Sequence, residues 1–262
     1  MDSLKLNSPA KLNLNLSVLR KRIDGMHEIK TRFQLINLSD EVLIKKTSSK
    51  SISVKTNLAP SIENKKNIVF SAIKLLSDHI GKEIHCEVDI VKNIPLGGGL
   101  GGGSSNAATA LIGINFLFEL GLTSKELMQL GEKLGADVPF FIFGKNAFAS
   151  GIGEILLEDS KNIDNKYLLL FPQIHSSTKE LFSKWDGLNK SAQKSLLDNE
   201  ENSFLPIFLD QNRDVKIIFH ELCKSNSFKL SGTGSTIFCA YNDISEIEKT
   251  LKKIPSKWRH SF

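Results

Sequence analysis

The stretch PLGGGLGGGSSN at residues 95–106 decides how this chain is interpreted, because it gathers six of the 18 glycines between a predicted strand and a predicted helix. Successive glycines let the backbone approach a ligand closely and turn several N–H groups toward one point. The N-terminus of a helix adds free N–H groups and the positive end of the helix dipole. The stretch therefore predicts a phosphate-binding site, to which the Ser104 and Ser105 hydroxyls can add donors or a metal contact.

Three other interpretations of the glycine stretch are weaker. A flexible linker rarely joins a strand to a helix when both have clear boundary signals. A Walker P-loop requires a lysine directly after its last glycine, where this chain has Ser104. The GxGxxG pattern of a Rossmann fold occurs at 97–102, but the preceding strand carries Glu87, Asp89 and Lys92 and is therefore not apolar on both faces.

Alternating polarity marks the first predicted strand, KLNLNLSV at residues 11–18. Its leucines and valine share one face, while Lys11, Asn13 and Asn15 share the other, so an ammonium group lies beside two amides. Further strands are predicted at 27–36, 42–46, 52–56, 84–94, 167–171 and 258–262, and helices at 67–80, 104–120, 123–135, 178–185, 191–199 and 244–253.

Helix boundaries carry clear signals in the first half of the chain. Asn67 can cap the first predicted helix, and Gly81 can end it. Thr123 and Glu126 have the spacing of a capping box, which predicts the start of another helix.

A polar, turn-prone stretch, EDSKNIDNK at 158–166, divides the chain. Strands and helices are mixed on both sides of it, which is typical of α+β domains. We therefore predict two domains, residues 1–160 and 161–262.

Composition excludes several classes of protein. With 40% hydrophobic and 24% charged residues among 262, the chain is neither disordered nor fibrous. Three cysteines without CxxC spacing argue against a disulfide framework or a zinc site and favour a reducing cytoplasm. The first residues lack the apolar core of a signal peptide, and no apolar stretch approaches the ~20 residues that span a bilayer. The net charge of +5 allows an anionic partner without choosing between nucleotide, phosphate and nucleic acid.

Two charged residues suit phosphoryl transfer to an alcohol, which needs a proton acceptor and cations around the phosphates. Asp137, in GADVPFF at 135–141, suits the first need, although it could instead be an N-cap. Lys11 suits the second, although a lone strand lysine is more often solvated. His27 near a turn is by itself unremarkable, and the six histidines are too scattered to suggest a metal cluster.

Several blocks taken together resemble a known family. They are PAKLNL at 9–14, DGMHE at 24–28, the glycine stretch, GADVPFF at 135–141 and LSGTGS at 230–235. In this order they are similar to the GHMP superfamily of small-molecule kinases and, within it, to the 4-diphosphocytidyl-2-C-methyl-D-erythritol kinases. The resemblance implies an N-terminal ribosomal-protein-S5-like domain and a C-terminal ferredoxin-like domain with the active site between them. It also implies transfer of the ATP γ-phosphoryl group to the substrate's 2-hydroxyl in the non-mevalonate route to isoprenoid precursors.

The resemblance also implies roles for individual residues. The residue matching Asp137 is the family's catalytic base, Lys11 matches the lysine beside it, and His27 matches a residue that reads the cytosine. The implied ATP-binding residues are Pro95, Leu96, Gly97, Gly98, Gly99, Leu100, Gly101, Gly102, Gly103, Ser104 and Ser105. The implied substrate-binding residues are Asn13, Met26, His27, Thr178 and Phe182. ATP and Mg²⁺ are the implied cofactors, with no metal ligands identified. The implied partners are a small-molecule substrate and ATP, without nucleic acid or membrane, for a monomer or homodimer.

Two positions depart from the family pattern. Met26 stands where an aromatic residue is usual. A methionine side chain in contact with an aromatic ring contributes about 0.3–1.5 kcal/mol. A base stacked on an aromatic side chain contributes about 1–3 kcal/mol. We therefore predict weaker substrate binding. Gly98 stands where alanine is common, and the extra glycine is expected to cost a small amount of ordering entropy when nucleotide binds.

Two other functions stay open at this point. A GHMP kinase acting on homoserine or mevalonate would keep the glycine stretch but would have no reason to carry the DGMHE block. An RNA-binding module would fit an S5-like half, but it should cluster basic and aromatic residues on one surface. The paired lysines are instead spread along the chain with few aromatic residues near them: Lys45, Lys46, Lys65, Lys66, Lys252 and Lys253.

Overall fold

The computed structural model describes residues 1–58, 66–161, 165–198 and 201–262, which form an α+β fold with two sheets. The strands are β1 Ser3–Lys21, β2 His27–Lys46, β3 Ile52–Thr56, β4 Cys86–Val91, β5 Ala147–Ser150, β6 Ile155–Glu158, β7 Lys166–Phe171, β8 Lys229–Leu230, β9 Ile237–Tyr241 and β10 Arg259–Ser261. The helices are α1 Ile68–Ile80, α2 Gly102–Leu117, α3 Ser124–Glu132, α4 Val138–Phe143, α5 Thr178–Asp186, α6 Lys190–Asp198, α7 Leu205–Gln211, α8 Arg213–Cys223 and α9 Glu248–Leu251. The predicted fold class is confirmed.

A long antiparallel pair, β1 and β2, forms the frame of the first sheet. β1 pairs with β2 from Ser3 opposite Lys45 to Lys21 opposite His27. On the other edge of β2, β4 and β5 pair with its opposite ends, and the remaining strands extend the sheet in the order β3-β4-β2-β5-β6. The first predicted strand therefore lies inside a much longer one.

The separate strand predicted at 42–46 is wrong, because these residues are the end of the continuous strand β2. The polar residues Ser39 and Asp40 lie between the two predicted strands, inside β2. The Asp40 carboxylate is fully buried and accepts hydrogen bonds from the backbone N–H groups of Asn93 and Ile94. A side chain satisfied in this way lets the strand continue.

Several helix boundaries agree with the sequence prediction. The Asn67 side chain accepts a hydrogen bond from the N–H of Val69, and Gly81 ends α1 with a φ of 65°. Both hydrogen bonds of the capping box at Thr123 are present. The helix predicted at 104–120 is α2, which ends at Leu117. Among the residues that the structure describes, no helix has the length and apolar character needed to cross a membrane.

Other elements were missed or misjudged from the sequence. The prediction did not include α4, α7, α8, β5 and β6, which are short or lack strong start signals. The single helix predicted at 244–253 is instead a 3₁₀ turn at Ile244–Glu246 followed by α9. The helix predicted at 191–199 is observed as α6, but its last residue lies outside the described residues. The same is true of 162–164 in the polar stretch that joins β6 to β7.

The second sheet, with the order β10-β7-β9-β8, shares its core with the first half of the chain. Leu16 and Val18 of β1 are buried against side chains of the second half, including Trp185, Phe204 and Phe208. The backbone continues this contact, because Leu16 exchanges hydrogen bonds of 2.8 Å with the carbonyl of Glu201 and the N–H of Ser203. β1 therefore serves both cores.

The buried amide of Asn202 fixes the segment that joins β1 to the second sheet. Its Nδ2 donates to the carbonyl oxygens of Leu230 and Gly232 at 2.8 and 2.9 Å. Its Oδ1 accepts from the N–H of Phe204 at 2.8 Å. Three backbone groups in this interior region therefore depend on one side chain.

Asn202→Ala is expected to lower the free energy of unfolding by about 3 kcal/mol, because each buried polar group left unsatisfied costs about 1–3 kcal/mol. Chemical denaturation of the purified protein measures this change. The matched control is Asn189→Ala, which removes an exposed amide that accepts one hydrogen bond from the N–H of Ala192. A loss at Asn202 no larger than the loss at Asn189 would contradict the prediction.

Candidate active site

A cavity of about 830 Å³ lies where the glycine stretch, β1 and α5 meet. This volume is within the range of small-molecule sites. The cavity brings together residues that are far apart in the sequence. The sequence-predicted site residues that line it are Lys11, Asn13, Met26, His27, Gly99, Gly101, Ser104, Asp137, Thr178 and Phe182.

The glycine stretch is held on both sides by hydrogen bonds to its carbonyl groups. The carbonyl of Leu100 accepts from the N–H of Lys11 at 3.0 Å, and the carbonyl of Gly98 accepts from the N–H of Thr236 at 3.1 Å. The Ser231 hydroxyl donates to the carbonyl of Gly99 at 3.0 Å. A backbone tied to two other segments in this way is an ordered loop and not a flexible linker.

The close approach between these segments requires glycine. Gly99 has a φ of 73°, and a Cβ there would stand 2.2 Å from the carbonyl oxygen of Ser231. Gly101 has a φ of 70° and is the N-cap of α2, with no side-chain cap hydrogen bond from any described residue. The N–H groups in the first turn of α2 therefore remain available to a ligand.

The two serines that follow the glycines have different surroundings. Ser104 lines the cavity, and its Oγ is 4.0 Å from the position of a Cβ on Gly135, close to the turn that carries Asp137. Ser105 is fully buried, and its Oγ accepts a hydrogen bond from Ser8 at 2.8 Å. Adjacent residues on a helix point in different directions, so only Ser104 reaches the cavity wall.

Lys11 and Asp137 form an ion pair in the cavity, with 3.5 Å between Lys11 Nζ and Asp137 Oδ2. Lys11 is almost entirely buried, whereas about a third of the Asp137 side chain is exposed. The Lys11 ammonium also donates to Asn13 Oδ1 and lies 5.0 Å from the centre of the Phe33 ring. A solvated strand lysine, the alternative left open by the sequence, is therefore not what the structure contains.

Asp137 occupies the N-cap position of α4 but does not act as a cap. Its side chain makes no capping hydrogen bond within the described part of the chain. Pro139, in the first turn of α4, has no N–H group to donate one. The carboxylate is therefore free to act in the cavity.

Asn13 links the cavity floor to the second half of the chain. Its Nδ2 donates to the Thr31 hydroxyl at 2.9 Å, and its backbone N–H donates to the Ser231 hydroxyl at 3.3 Å. Because Asn13 Oδ1 accepts from Lys11, the amide also holds the ammonium in place.

At the other end of the cavity, His27 lies between an aromatic ring and a carboxylate. Its ring stacks on Phe182 with 4.7 Å between centroids, and its Nε2 lies 2.6 Å from Asp186 Oδ1. Lys21 Nζ donates to Asp186 Oδ2 at 2.5 Å. Partial burial opposes ionisation of Asp186, but the hydrogen bonds and charges of Lys21 and His27 outweigh it and hold the pKa of that carboxyl below its ordinary value.

Asp186 is a cavity residue that the sequence analysis missed. It follows Phe182 by four positions on α5, a spacing that places both residues on one face of the helix. That spacing is the signal that could have indicated it. Thr178, one turn before Phe182, has its hydroxyl 3.0 Å from that of Thr233, so α5 and the 231–235 turn meet at the cavity rim.

Met26, by contrast, is close to half exposed at the edge of the cavity. Its backbone N–H donates to Asp24 Oδ1 at 3.0 Å, and its carbonyl accepts from the N–H of Arg22 at 2.7 Å. The turn is therefore closed by its own polar groups, and the Met26 side chain is left to contact a ligand.

Comparisons with known proteins point to one family. Residues 67–145 match the model of the GHMP kinases N terminal domain. The 4-diphosphocytidyl-2-C-methyl-D-erythritol kinase of Ruthia magnifica subsp. Calyptogena magnifica is 38% identical over 260 residues, which cover 96% of this chain and 90% of the relative. The enzyme of the same name from Wigglesworthia glossinidia brevipalpis is 40% identical, with coverage of 95% and 84%. A crystal structure of 4-(cytidine 5'-diphospho)-2C-methyl-D-erythritol kinase superposes with a TM-score of 0.77 at 25% identity, covering 98% of both chains.

The structure supplies a steric reason for glycine at position 98. A Cβ on Gly98 would stand 2.9 Å from the Thr236 hydroxyl, which is buried and has no hydrogen-bond partner among the residues described. Threonine has few rotamers with which to move away. Glycine at position 98 is expected to cost a small amount of ordering entropy when nucleotide binds, but packing against Thr236 leaves little room for the alanine side chain.

Gly98→Ala is expected to lower the free energy of unfolding by about 1 kcal/mol, because overpacking, at about 1–3 kcal/mol, exceeds the entropic gain of about 0.4–1 kcal/mol. In a Thr236→Ala background the same change should become neutral or stabilising. Chemical denaturation of the four proteins gives the coupling energy between the two sites. Equal effects of Gly98→Ala in both backgrounds would refute the contact.

Proposed function

The chain belongs to the family of 4-diphosphocytidyl-2-C-methyl-D-erythritol kinases within the GHMP kinases, and on this premise we propose that it phosphorylates the 2-hydroxyl of 4-diphosphocytidyl-2-C-methyl-D-erythritol with ATP. This reaction is a step of the non-mevalonate route to isoprenoid precursors. The observation that carries the proposal is the single cavity in which the glycine stretch, the Lys11–Asp137 pair and the His27–Phe182 stack meet.

ATP binds, in this proposal, with its phosphates against the glycine stretch. The carbonyl groups of Gly98, Gly99 and Leu100 are bound to other parts of the protein. The first-turn N–H groups of α2 can therefore bind phosphate oxygens, and the Ser104 hydroxyl on the cavity wall can add a further donor. Phosphate also lies at the positive end of the α2 dipole, which favours its negative charge.

Asp137 is the proposed catalytic base, and Lys11 the cation beside it. As the 2-hydroxyl oxygen attacks the γ-phosphorus, its proton passes to the Asp137 carboxylate, and the bond between the γ-phosphorus and the β–γ bridging oxygen breaks to release ADP. The Lys11 ammonium, 3.5 Å from that carboxylate, stabilises negative charge on the transferred phosphoryl group. Because Asn13 and Phe33 hold the ammonium, little reorganisation is needed during the reaction.

A Mg²⁺ ion bound together with ATP would be held mainly by phosphate oxygens. Within the described ranges there is no cluster of three His, Cys, Asp or Glu side chains able to build a metal site. Mg²⁺ commonly takes one or two protein ligands in addition to phosphates, and Ser104 and Asp137 line the same cavity. When bound, the ion neutralises charge on the phosphates.

The nucleobase end of the substrate is proposed to bind between α5 and the turn before β2. Phe182 provides an aromatic face, His27 a ring nitrogen that can hydrogen-bond to cytosine, and Met26 a flexible apolar cover. Thr178 and Asn13 provide polar groups nearer the sugar-alcohol part.

The division into residues 1–160 and 161–262, the cytoplasmic location and the monomeric or homodimeric state also stay proposals.

Asp137→Ala is expected to lower kcat by about 100-fold or more, the usual contribution of general-base catalysis. A coupled ADP-release assay with a panel of alcohols, including homoserine and mevalonate, measures this and tests substrate class together. Asp210→Ala, which removes an exposed carboxylate paired with Lys216, is the control. Activity that survives Asp137→Ala would remove the base assignment, and activity on homoserine or mevalonate alone would favour the other GHMP kinases.

Met26→Tyr is expected to lower the KM for the diphosphocytidyl substrate about fivefold, because stacking on tyrosine exceeds the methionine contact by about 1 kcal/mol. The KM for ATP should stay the same, since Met26 is at the opposite end of the cavity from the glycine stretch. Met26→Leu, which cannot stack, is the control. The idea fails if Met26→Tyr leaves the substrate KM unchanged or raises it.

A further inference from the structure

A cluster of buried polar side chains lies behind the glycine stretch, outside the cavity lining. Its charged members are Asp40, which is fully buried, and Lys92, whose side chain is 6% exposed. Asn106 and Ser8 complete it, with Asn106 Nδ2 donating to the Ser8 hydroxyl at 2.9 Å. No step of the proposed reaction uses these groups.

The Asp40 carboxylate accepts four hydrogen bonds. Its Oδ1 accepts from the backbone N–H groups of Asn93 and Ile94 at 2.7 and 2.8 Å. Its Oδ2 accepts from Asn106 Nδ2 at 2.9 Å and from the Lys92 ammonium. The burial of this charge is therefore fully compensated by donors.

The donors to Asp40 come from both ends of the glycine stretch. Asn93 and Ile94 directly precede Pro95, and Asn106 directly follows Ser105. Asp40 itself is fixed within the long strand β2. A single carboxylate thus holds the two ends of residues 95–105, which are the loop 95–101 and the first turn of α2, at a set distance from each other.

We propose that Asp40 is a positioning residue for ATP binding, which rests on the proposed function of the glycine stretch as the phosphate site. A glycine-rich backbone loses much conformational freedom when a ligand orders it. Because Asp40 fixes both ends of the loop, most of this conformational freedom is lost during folding and not when ATP binds. The N–H groups are then already directed at the phosphates before ATP arrives. A buried ion pair adds little to the stability of a protein compared with apolar residues of similar size. A role in positioning the loop would explain why the Asp40–Lys92 pair is present here.

A direct electrostatic effect of Lys92 is the competing explanation. Its Nζ lies 3.4 Å from the position of a Cβ on Gly102, the first residue of α2, so the ammonium is close to the proposed phosphate site. The two explanations differ in their predictions. Lys92→Met removes the ammonium, with its hydrogen bonds to Asp40 and Asn106, but leaves Asp40 with three donors from both ends of the stretch. Asp40→Asn places an NH₂ group where Oδ2 accepts, so the hydrogen bonds from Asn106 and Lys92 are lost and the α2 end is released.

The test is calorimetric titration of the wild-type protein and its variants with a non-hydrolysable ATP analogue in the presence of Mg²⁺. We expect Asp40→Asn to weaken binding about tenfold, the equivalent of ordering one or two more residues upon binding. Lys92→Met should weaken it much less. The matched control is Asp159→Asn, which breaks another buried ion pair, with Arg32, away from the glycine stretch and should leave analogue binding unchanged.

Steady-state kinetics provide the second measurement. In Asp40→Asn the KM for ATP should rise while the KM for the alcohol substrate stays near the wild-type value. A general loss of structure would change both constants. If Asp40→Asn does not fold, Asn106→Ala serves instead: it leaves Asn93 and Ile94 bound to Asp40 but removes the anchor in α2, together with the Asn106 hydrogen bonds to Ser8 and Lys92. It is expected to weaken analogue binding in the same selective way.

Three outcomes would overturn the proposal. Unchanged analogue binding by Asp40→Asn would exclude the positioning role while leaving the proposed function intact. A Lys92→Met effect as large as that of Asp40→Asn would assign the effect to charge instead. Failure of the wild-type protein to bind the analogue would instead contradict the proposed function, and the positioning role with it.

Discussion

The hydrogen bonds from other segments to the carbonyl groups of the glycine stretch are the constraint on which the candidate site depends. β1 binds Leu100, and the turn before β9 binds Gly98 and Gly99. With these carbonyl oxygens occupied by protein donors, the N–H groups at the start of α2 are left for an anion. The same hydrogen bonds bring Lys11 and Asn13 to one side of the loop and Thr233 to the other. They therefore both shape the cavity and bring its polar groups together.

The charged side chains of the cavity form two groups, one at each end, and each group suits a different part of the ligands. Lys11 and Asp137 lie at the end near the glycine stretch, where a phosphoryl group and a hydroxyl would meet. Lys21, His27 and Asp186 lie at the other end, where hydrogen bonds to a base would form. Each acidic group has a basic neighbour, so the cavity has cations for its polyphosphate ligands without an unpaired carboxylate to repel them.

Several local signals predicted the structure correctly, whereas hydrogen bonds between residues distant in the sequence were not predicted. The caps at Asn67 and Thr123 and the glycine stretch are recognisable because each depends on residues a few positions apart. The continuation of β2 through Asp40 was not predicted, because the hydrogen-bond partners of Asp40 are about 50 residues away in the chain. Ser105 could not be distinguished from Ser104, since its burial depends on Ser8 of β1. The cavity residues carried over from the family blocks lie together in space, and Asp186, which lies outside those blocks, was missed.

The use of β1 by both cores has a consequence for how the chain folds as it is synthesised. Most of the buried side chains that cover Leu16 and Val18, including Trp185 and Phe204, lie in the second half of the chain and leave the ribosome late. The backbone N–H and carbonyl of Leu16 also form their hydrogen bonds only after the segment at 201–203 has been synthesised. Although β1 and β2 are synthesised first and pair with each other, the burial of Leu16 and Val18 is therefore completed only when most of the second half has appeared. The cavity that Lys11 and Asn13 line is also complete only then, because Thr178 and Phe182 of the second half form part of its wall.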